Sequence, residues 1–219
     1  MALLKLYSAP SDPSGAGVPA KGNDGITDEA LCDALVADEP WAGAAMFDRV
    51  EETVDLVLFR ALGPADAERD DLMQQALEKL IASVVSGKFE RRCSLKSWAA
   101  LITQHVALGA LRSRARERRV LDRNVSHQAM ELVAVNDDSP ERAAEVQRRL
   151  ATLQGALAAT ARTRAEALIL HDLLGHDLNE IARMTGVSVA AAQSRLVRGR
   201  KDVADRIRGA EANTRGRKR

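Results

Sequence analysis

The sequence predicts an all-α protein built from two small helical domains that are joined by a flexible linker. Apolar residues recur at helical spacing over most of the chain, and no segment shows a strand-like alternation of useful length. The apolar period fades over 120–138, between two helical stretches. A chain of 219 residues is long enough for two domains that each bury a core.

The domain boundaries follow from composition and from helix start signals. The first residues are rich in Pro, Gly, Ser and Ala and lack an apolar period, which favours disorder. Ser139 is a good N-cap, and Pro140 behind it suits the first helical position. The expected organisation is a disordered extension over 1–25, a first domain over 26–119, a linker over 120–138, a second domain over 139–208 and a basic tail over 209–219.

Several function classes are disfavoured by the residues present. No apolar run is long enough to span a membrane, and the N-terminus does not resemble a signal peptide. Cys32 and Cys93 lie far apart, which favours a reducing cytoplasm over a disulfide framework. His171 and His176 lack a third metal ligand, and neither a nucleophile with its base nor a phosphate-binding glycine loop is present. We therefore expect no metal, no cofactor and no enzymatic activity.

Charge is segregated into three blocks, although the net charge is only +1. Residues 24–78 carry 15 acidic and 3 basic side chains, whereas 79–123 carry 11 basic and 3 acidic ones. Residues 193–219 carry 10 basic and 3 acidic side chains. This pattern predicts one acidic surface for a protein partner and two contacts with a polyanion. Ordinary solvated helix faces are the alternative.

Residues 177–201 predict a DNA-binding helix-turn-helix. Leu178 and Ile181 form the inner face of a short helix, Gly186 suits the turn, and Ser188 can cap the next helix. Small residues begin that second helix and longer polar ones follow, an order that suits a helix in the major groove. A helical hairpin with a solvated face is the alternative. The candidate DNA contacts are Ser188, Ala190, Gln193, Ser194, Arg195, Arg198, Arg200 and Lys201.

Three stretches resemble segments of bacterial sigma factors of the extracytoplasmic-function (ECF) group, within the sigma-70 family. TRAEALILHDLLGHDLNEIARMTGVSVAAAQSRLVRGRK is similar to their C-terminal helix-turn-helix domain. ALGPADAERDDLMQQALEKL is similar to their segment that binds core RNA polymerase. SLKSWAALITQHVALGALRSRARERR resembles their helix that reads and melts the promoter −10 element. The resemblance covers about 28–208.

The resemblance implies a subunit that binds core RNA polymerase and recognises the −35 and −10 elements of promoter DNA. It places 26–119 as sigma domain 2 and 139–208 as sigma domain 4, whose DNA contacts then read the −35 element. An anti-sigma factor is a further partner that this family often has. The implied polymerase contacts are Asp70, Asp71, Leu72, Gln74 and Gln75. The implied −10 contacts are Lys88, Arg91, Arg92, Lys96, His105, Arg112, Arg114 and Arg116.

The chain departs from the family pattern at several of these positions. Gln104 and His105 stand where Arg-Asn is usual, and Gly109 replaces an Asp. Two other readings stay open. A free-standing helix-turn-helix regulator would not need the acidic helix near 66–80, and a helical protein-interaction adaptor would leave both basic blocks unexplained.

Overall fold

A computed structural model of the chain describes residues 25–124 and 140–217, and these residues are helical with short connections. The predicted extension, most of the predicted linker and Ser139 lie outside the described residues. The helices are α1 (Asp28–Val36), α2 (Ala42–Leu62), α3 (Arg69–Val85), α4 (Leu95–Asn124), α5 (Pro140–Ala159), α6 (Arg162–Leu168), α7 (Leu178–Thr185) and α8 (Val189–Arg217). A π-helical turn, Ile169–Leu173, continues α6.

Helices α1 to α4 form an N-terminal bundle around one apolar core. The apolar faces of α2 and α3 are buried there, with Met46 and Leu58 from α2 and Leu80 from α3 almost fully enclosed. Leu95 and Leu111 bring α4 into the same core. Because these side chains recur every three or four residues, each helix presents one apolar stripe to the others.

Asp28 fastens three helices of this bundle to one another. It lies in the first turn of α1, where Thr27 caps the helix by accepting a hydrogen bond from the Ala30 amide at 3.2 Å. Its Oδ1 accepts from Arg49 of α2 at 2.5 Å, and its Oδ2 accepts from the Leu95 amide at 2.8 Å. The carboxylate therefore binds a cation of α2 and the first amide of α4.

Helices α5 to α8 form a C-terminal bundle in which α6 and α8 lie close together. Leu157, Ile169 and Leu196 pack in its core. Gly199 marks the point of closest approach, because a Cβ there would lie 2.6 Å from the Arg164 carbonyl oxygen. Any larger residue would push α8 away from α6.

The two bundles pack against each other. Leu108 of α4 belongs to the α5–α8 core, and Leu101 packs with Ile181 and Met184. At the far end of α5, the Gln154 amide donates to the Leu62 carbonyl at 2.9 Å. The sequence indicated two domains joined by a flexible linker. That organisation does not by itself predict that an apolar residue of one bundle lies in the core of the other.

Two helices run further than the sequence indicated. Helix α4 continues past Arg119 to Asn124, so the first part of the predicted linker is helical. Helix α8 continues to Arg217 through most of the predicted basic tail. Fading apolar periodicity therefore did not mark the ends of these helices.

Replacing Asp28 with Ala should lower the free energy of unfolding by about 2 kcal/mol, since it removes two charge-assisted hydrogen bonds between helices. Chemical denaturation followed by circular dichroism measures the effect. Asp33→Ala is the matched control, because Asp33 is also on α1 and also pairs with an arginine, but its side chain is 68% exposed. An equal loss in both variants would contradict the role given to Asp28.

Candidate nucleic-acid interface

Helices α7 and α8 and the turn between them form a helix-turn-helix. Asp177 caps α7 by accepting from the Glu180 amide at 2.8 Å, and Ser188 caps α8 by accepting from the Ala191 amide at 3.2 Å. Gly186 ends α7 with a φ of +67°, a left-handed conformation that favours glycine. Ile181 packs with Ala192 across the turn. The sequence predicted the inward position of Ile181, the turn at Gly186 and the cap at Ser188, but it did not indicate the cap at Asp177.

The outward face of α8 is a polar stripe with one apolar residue in it. Ala190, Ser194 and Lys201 follow one another along this face and are exposed. Val197 lies in the same stripe and is 57% exposed. Val197 was not among the DNA contacts expected from the sequence. It falls outside the spacing of the inward-facing residues Ala192 and Leu196, and this spacing could have identified it as exposed. An exposed methyl group on a recognition helix can contact the C5-methyl of thymine.

The remaining candidates on α8 flank this stripe. Gln193 and Arg198 are exposed on either side of it, whereas Arg195 is half-buried. Neither arginine forms an ion pair with the described residues. Val189 is 41% exposed, although its spacing from Ala192 and Leu196 favours the inward face, because it occupies the first position of the helix.

Arg200 is held in place by the turn that follows α6. Its guanidinium donates to the Asp172 carboxylate at 2.5 and 2.8 Å, and His171 lies beside the same carboxylate. The hydrogen bond from Arg200, with a smaller one from His171, lowers the pKa of Asp172. Arg200 is therefore already oriented in the unbound protein. Binding a ligand through it would cost less side-chain entropy than binding through a freely rotating arginine.

The predicted −10 contacts divide into an exposed set and an occupied set. Lys88, Lys96 and Arg116 are exposed. Arg91 and Arg92, in the loop before α4, are also exposed but pair with Asp33 and Glu90. Arg91 has a positive φ of 56°, so the loop turns sharply at that residue.

The side chains of the other three predicted −10 contacts bind residues of the protein itself. His105 Nε2 lies 3.3 Å from Glu166 Oε1 of α6. Arg112 donates to the carbonyl oxygens of Ala158 and Thr160 at 3.3 and 2.9 Å. Burial, together with the nearby charge of Arg162, lowers the pKa of Arg112.

Arg114 is the third predicted −10 contact whose side chain binds other residues of the protein. It lies outside the interface between the bundles. Its guanidinium donates to Asp66 and Glu68 before α3, at distances between 2.5 and 3.1 Å. Hydrogen bonds to Asp66 raise the pKa of Arg114 further above its already high value. This network ties the arginine run of α4 to the start of the acidic helix, a link that the sequence did not indicate.

The predicted polymerase contacts lie at the start of α3. Asp70, Asp71, Gln74 and Gln75 are exposed and face solvent together. Leu72 differs, because it is 8% exposed and packs in the bundle core. It supports this surface from beneath rather than forming part of it.

A cleft of about 190 Å³ separates α7 from the loop before α4. Its floor includes Phe89 and Trp98, whose rings lie 5.5 Å apart. The Trp98 indole donates to Ser83 Oγ at 2.8 Å, so the residue both packs and lines the cleft. Lys88, Arg92 and Arg183 make the rim cationic.

The described residues present no other chemical centre. Among them, no group of three or more His, Cys, Asp or Glu is placed to hold a metal ion. Cys32 is buried and Cys93 half-buried, and burial raises the pKa of both thiols. None of the described helices combines the length and the apolar character that crossing a bilayer requires.

Comparison with known proteins assigns the helix-turn-helix. Residues 150–203 match the family model "Sigma-70, region 4", a segment that includes α7 and the exposed stripe of α8. The match assigns residues 150–203 to region 4 of that family, and it covers the helix-turn-helix but neither α3 nor α4.

Solved structures show similar arrangements at low identity. A structure of CnrH in complex with the cytosolic domain of CnrY aligns with a TM-score of 0.47 and 18% identity, covering 81% of this chain and 95% of the other. The sigma factor RpoE of Bartonella quintana, solved with the anti-sigma factor NepR, aligns with a TM-score of 0.43 and 22% identity, covering 74% and 94%. No curated protein matches the sequence.

Glu180 of α7 provides a pH test of the contact between the bundles. Burial acts to raise its pKa, but hydrogen bonds from Ser97 of α4 and from His176 outweigh this effect, and the net pKa is lowered from its ordinary value of 4.5. A lowered carboxyl pKa stabilises the folded protein above pH 4.5, and this stabilisation is lost as the pH falls through the lowered value.

The difference in Tm between the wild type and Glu180→Gln should therefore be largest above pH 4.5 and should shrink on acidification. Differential scanning calorimetry across this range measures it. Glu211→Gln, at an exposed site on α8, controls for the general effect of removing a carboxylate. A difference that stays constant with pH would refute the assignment.

Proposed function

We propose that the chain is an ECF-type sigma factor in which three surfaces divide the work. The outward stripe of α8 reads the −35 element in the major groove. The loop before α4, together with α4 itself, binds the −10 element. The exposed acidic start of α3 docks on core RNA polymerase.

The outward face of α8 is the observation that carries this proposal. Its side chains are not needed inside the protein, since Ala190, Gln193 and Ser194 are exposed and the helix already packs through Ala192 and Leu196. Small residues at the start of the stripe suit close approach to a groove, and the exposed amide of Gln193 has the donor and acceptor that a bidentate contact with adenine requires. Val197 adds an apolar contact suited to thymine.

Phosphate contacts are proposed for the cationic residues nearer the C-terminus of α8. Arg198, Arg200 and Lys201 lie further along α8, where a straight helix leaves the floor of the groove. The exposed cations Lys88, Lys96 and Arg116 would serve the same purpose at the −10 element, because each cation placed near a phosphate releases counterions.

Binding to core polymerase distinguishes the proposed function from two alternatives. A free-standing regulator would bind DNA without core polymerase, and an adaptor would bind neither. Catalytic activity is not expected of any of the three, and we propose that the protein acts in the cytoplasm. An anti-sigma factor stays a prediction of the family resemblance. Co-elution of the chain with core polymerase and with DNA discriminates among these functions.

Reversing the charge of Asp70 and Asp71 should weaken binding to core polymerase by about tenfold or more, since like charges at an interface are costly. Asp70→Lys with Asp71→Lys is measured by fluorescence polarisation against core enzyme. Glu39→Lys with Glu51→Lys is the matched control, because it reverses two exposed acids elsewhere on the same bundle. Equal weakening in both variants would remove α3 from the proposed interface.

Two substitutions on α8 should separate base reading from phosphate binding. Gln193→Ala should cost about 1–3 kcal/mol of discrimination between the −35 duplex selected by the holoenzyme and a scrambled duplex. Arg200→Ala should instead weaken both duplexes alike and reduce the salt dependence by about one contact. Fluorescence anisotropy over a salt series measures both. If Gln193→Ala also weakens both duplexes alike, α8 binds only the phosphate backbone.

A further inference from the structure

Arg114 binds carboxylates of the protein itself with all three of its guanidinium nitrogens. Nη1 and Nη2 donate to the two oxygens of Asp66 at 2.5 and 2.8 Å, while Nη2 and Nε donate to Glu68 Oε2 at 2.6 and 3.1 Å. A planar guanidinium suits a forked contact of this kind, which fixes direction as well as distance. One cation and two carboxylates together carry a net negative charge, and such a group repels a phosphate.

Asp66, the main partner of Arg114, shapes the entry to α3. Its Oδ1 accepts from the Glu68 amide at 3.1 Å, and its carbonyl oxygen accepts from the Arg69 amide at 3.3 Å. Glu68 stands at the N-cap position, but its own side chain caps no amide of the helix. Asp66 therefore supplies the acceptors for the two amides at which α3 begins, and the first amides of a helix need such acceptors from outside it.

The contact between Arg114 and Asp66 lies largely below the protein surface. The side chains of Arg114 and Asp66 are 26% and 8% exposed. Breaking an enclosed ion pair by removing one partner leaves the other charge uncompensated, so the two residues depend on each other more than a surface pair does. On the opposite side, Arg69 pairs with Asp55 of α2. The start of α3 is thus held from α2 by one arginine and from α4 by another.

We propose that Arg114 is a positioning residue for core polymerase binding, which holds the start of α3 so that Asp70 and Asp71 are presented to the polymerase, and that it does not contact DNA. This inference rests on the proposed function of the acidic start of α3. An interface that is held in its bound orientation loses less conformational freedom on binding, so loosening it lowers the affinity. The proposal gives Arg114 a different role from the −10 contact predicted from the sequence.

The first test measures binding of the full chain to core polymerase by fluorescence polarisation. Arg114→Gln should weaken this binding by about tenfold. Arg116→Gln is the matched control, because it removes the same charge from an exposed position two residues further along α4 and should leave core affinity unchanged. Asp28→Ala controls for stability, because it removes hydrogen bonds among α1, α2 and α4 without touching the entry to α3. It should also leave core affinity unchanged.

A double-mutant cycle tests whether Arg114 acts through Asp66. Asp66→Asn keeps an oxygen for the Glu68 amide but removes the charge that Arg114 binds. The Asp66 side chain is too enclosed to form a polymerase contact of its own, so any loss of core affinity must act through α3. This variant should weaken core binding by a similar factor, and combining it with Arg114→Gln should add little, because both changes break the same contact. Losses that simply add would contradict the pathway.

Arg114→Lys provides a second variant in case the loss of charge impairs folding. Lysine keeps the positive charge, but it cannot form the planar fork that binds both carboxylates. The helix content by circular dichroism should match the wild type, and core binding should weaken by about threefold. Binding to the promoter fragment that the wild-type holoenzyme selects is then measured with core at saturating concentration. It should be unchanged in the Arg114 variants and weaker in Arg116→Gln.

Two outcomes would overturn the role given to Arg114. One is wild-type core affinity in both Arg114→Gln and Arg114→Lys. The other is weaker promoter binding by these variants at saturating core, since this identifies Arg114 as a DNA contact. The wild type separates this inference from the proposed function. If it does not bind core polymerase, the proposed function is wrong. If it binds, and reversing Asp70 and Asp71 weakens binding while the Arg114 variants do not, only the role of Arg114 is wrong.

Discussion

The rest of the structure depends on the burial of α4 along two of its faces. Leu95, Val106 and Leu111 pack inward against α2 and α3, while Leu101 and Leu108 pack outward against the C-terminal bundle. A helix buried on two sides fixes the elements on both sides relative to each other. The position of the helix-turn-helix with respect to the acidic helix is therefore set through α4.

Charge is distributed around this helix so that few of its arginines are available at once. Arg112 is enclosed by the end of α5, and Arg114 is neutralised by Asp66 and Glu68. Arg116 is exposed. The arginine run therefore has three different environments within two helical turns. Fewer of these cations are exposed than the composition of the run indicates.

Much of the fold follows from local patterns, and the sequence was sufficient for those. Met46, Val50 and Leu58 recur at helical spacing, which is sufficient to indicate the buried face of α2. Gly186 followed by Ser188 predicted the turn and the cap of the helix-turn-helix. These features depend on residues within one or two helical turns, so the periodicity records them. The outward side chains of α8 were predicted for the same reason, apart from Val197.

The packing between the bundles was not predictable in this way. Leu101 and Leu108 belong to a helix whose apolar stripe was already accounted for by its own bundle, and no local signal distinguishes one partner from another. His105 and Arg112 are polar residues whose partners lie 61 and 48 positions away in the sequence. The Arg114 network similarly joins residues 46 to 48 positions apart. Contacts of this range appear only once the chain is folded.

The close approach of α6 and α8 separates the part of the recognition helix that can vary from the part that cannot. At Gly199 the Arg164 carbonyl leaves no room for a side chain, and Leu196 and Val203 fix the same side of the helix in the core. Ala190, Gln193, Ser194 and Val197 are exposed on the other side. Substitutions at these four positions leave the core packing of the helix unchanged. The exposed side of the helix can therefore change one side chain at a time, without a compensating change elsewhere in the protein.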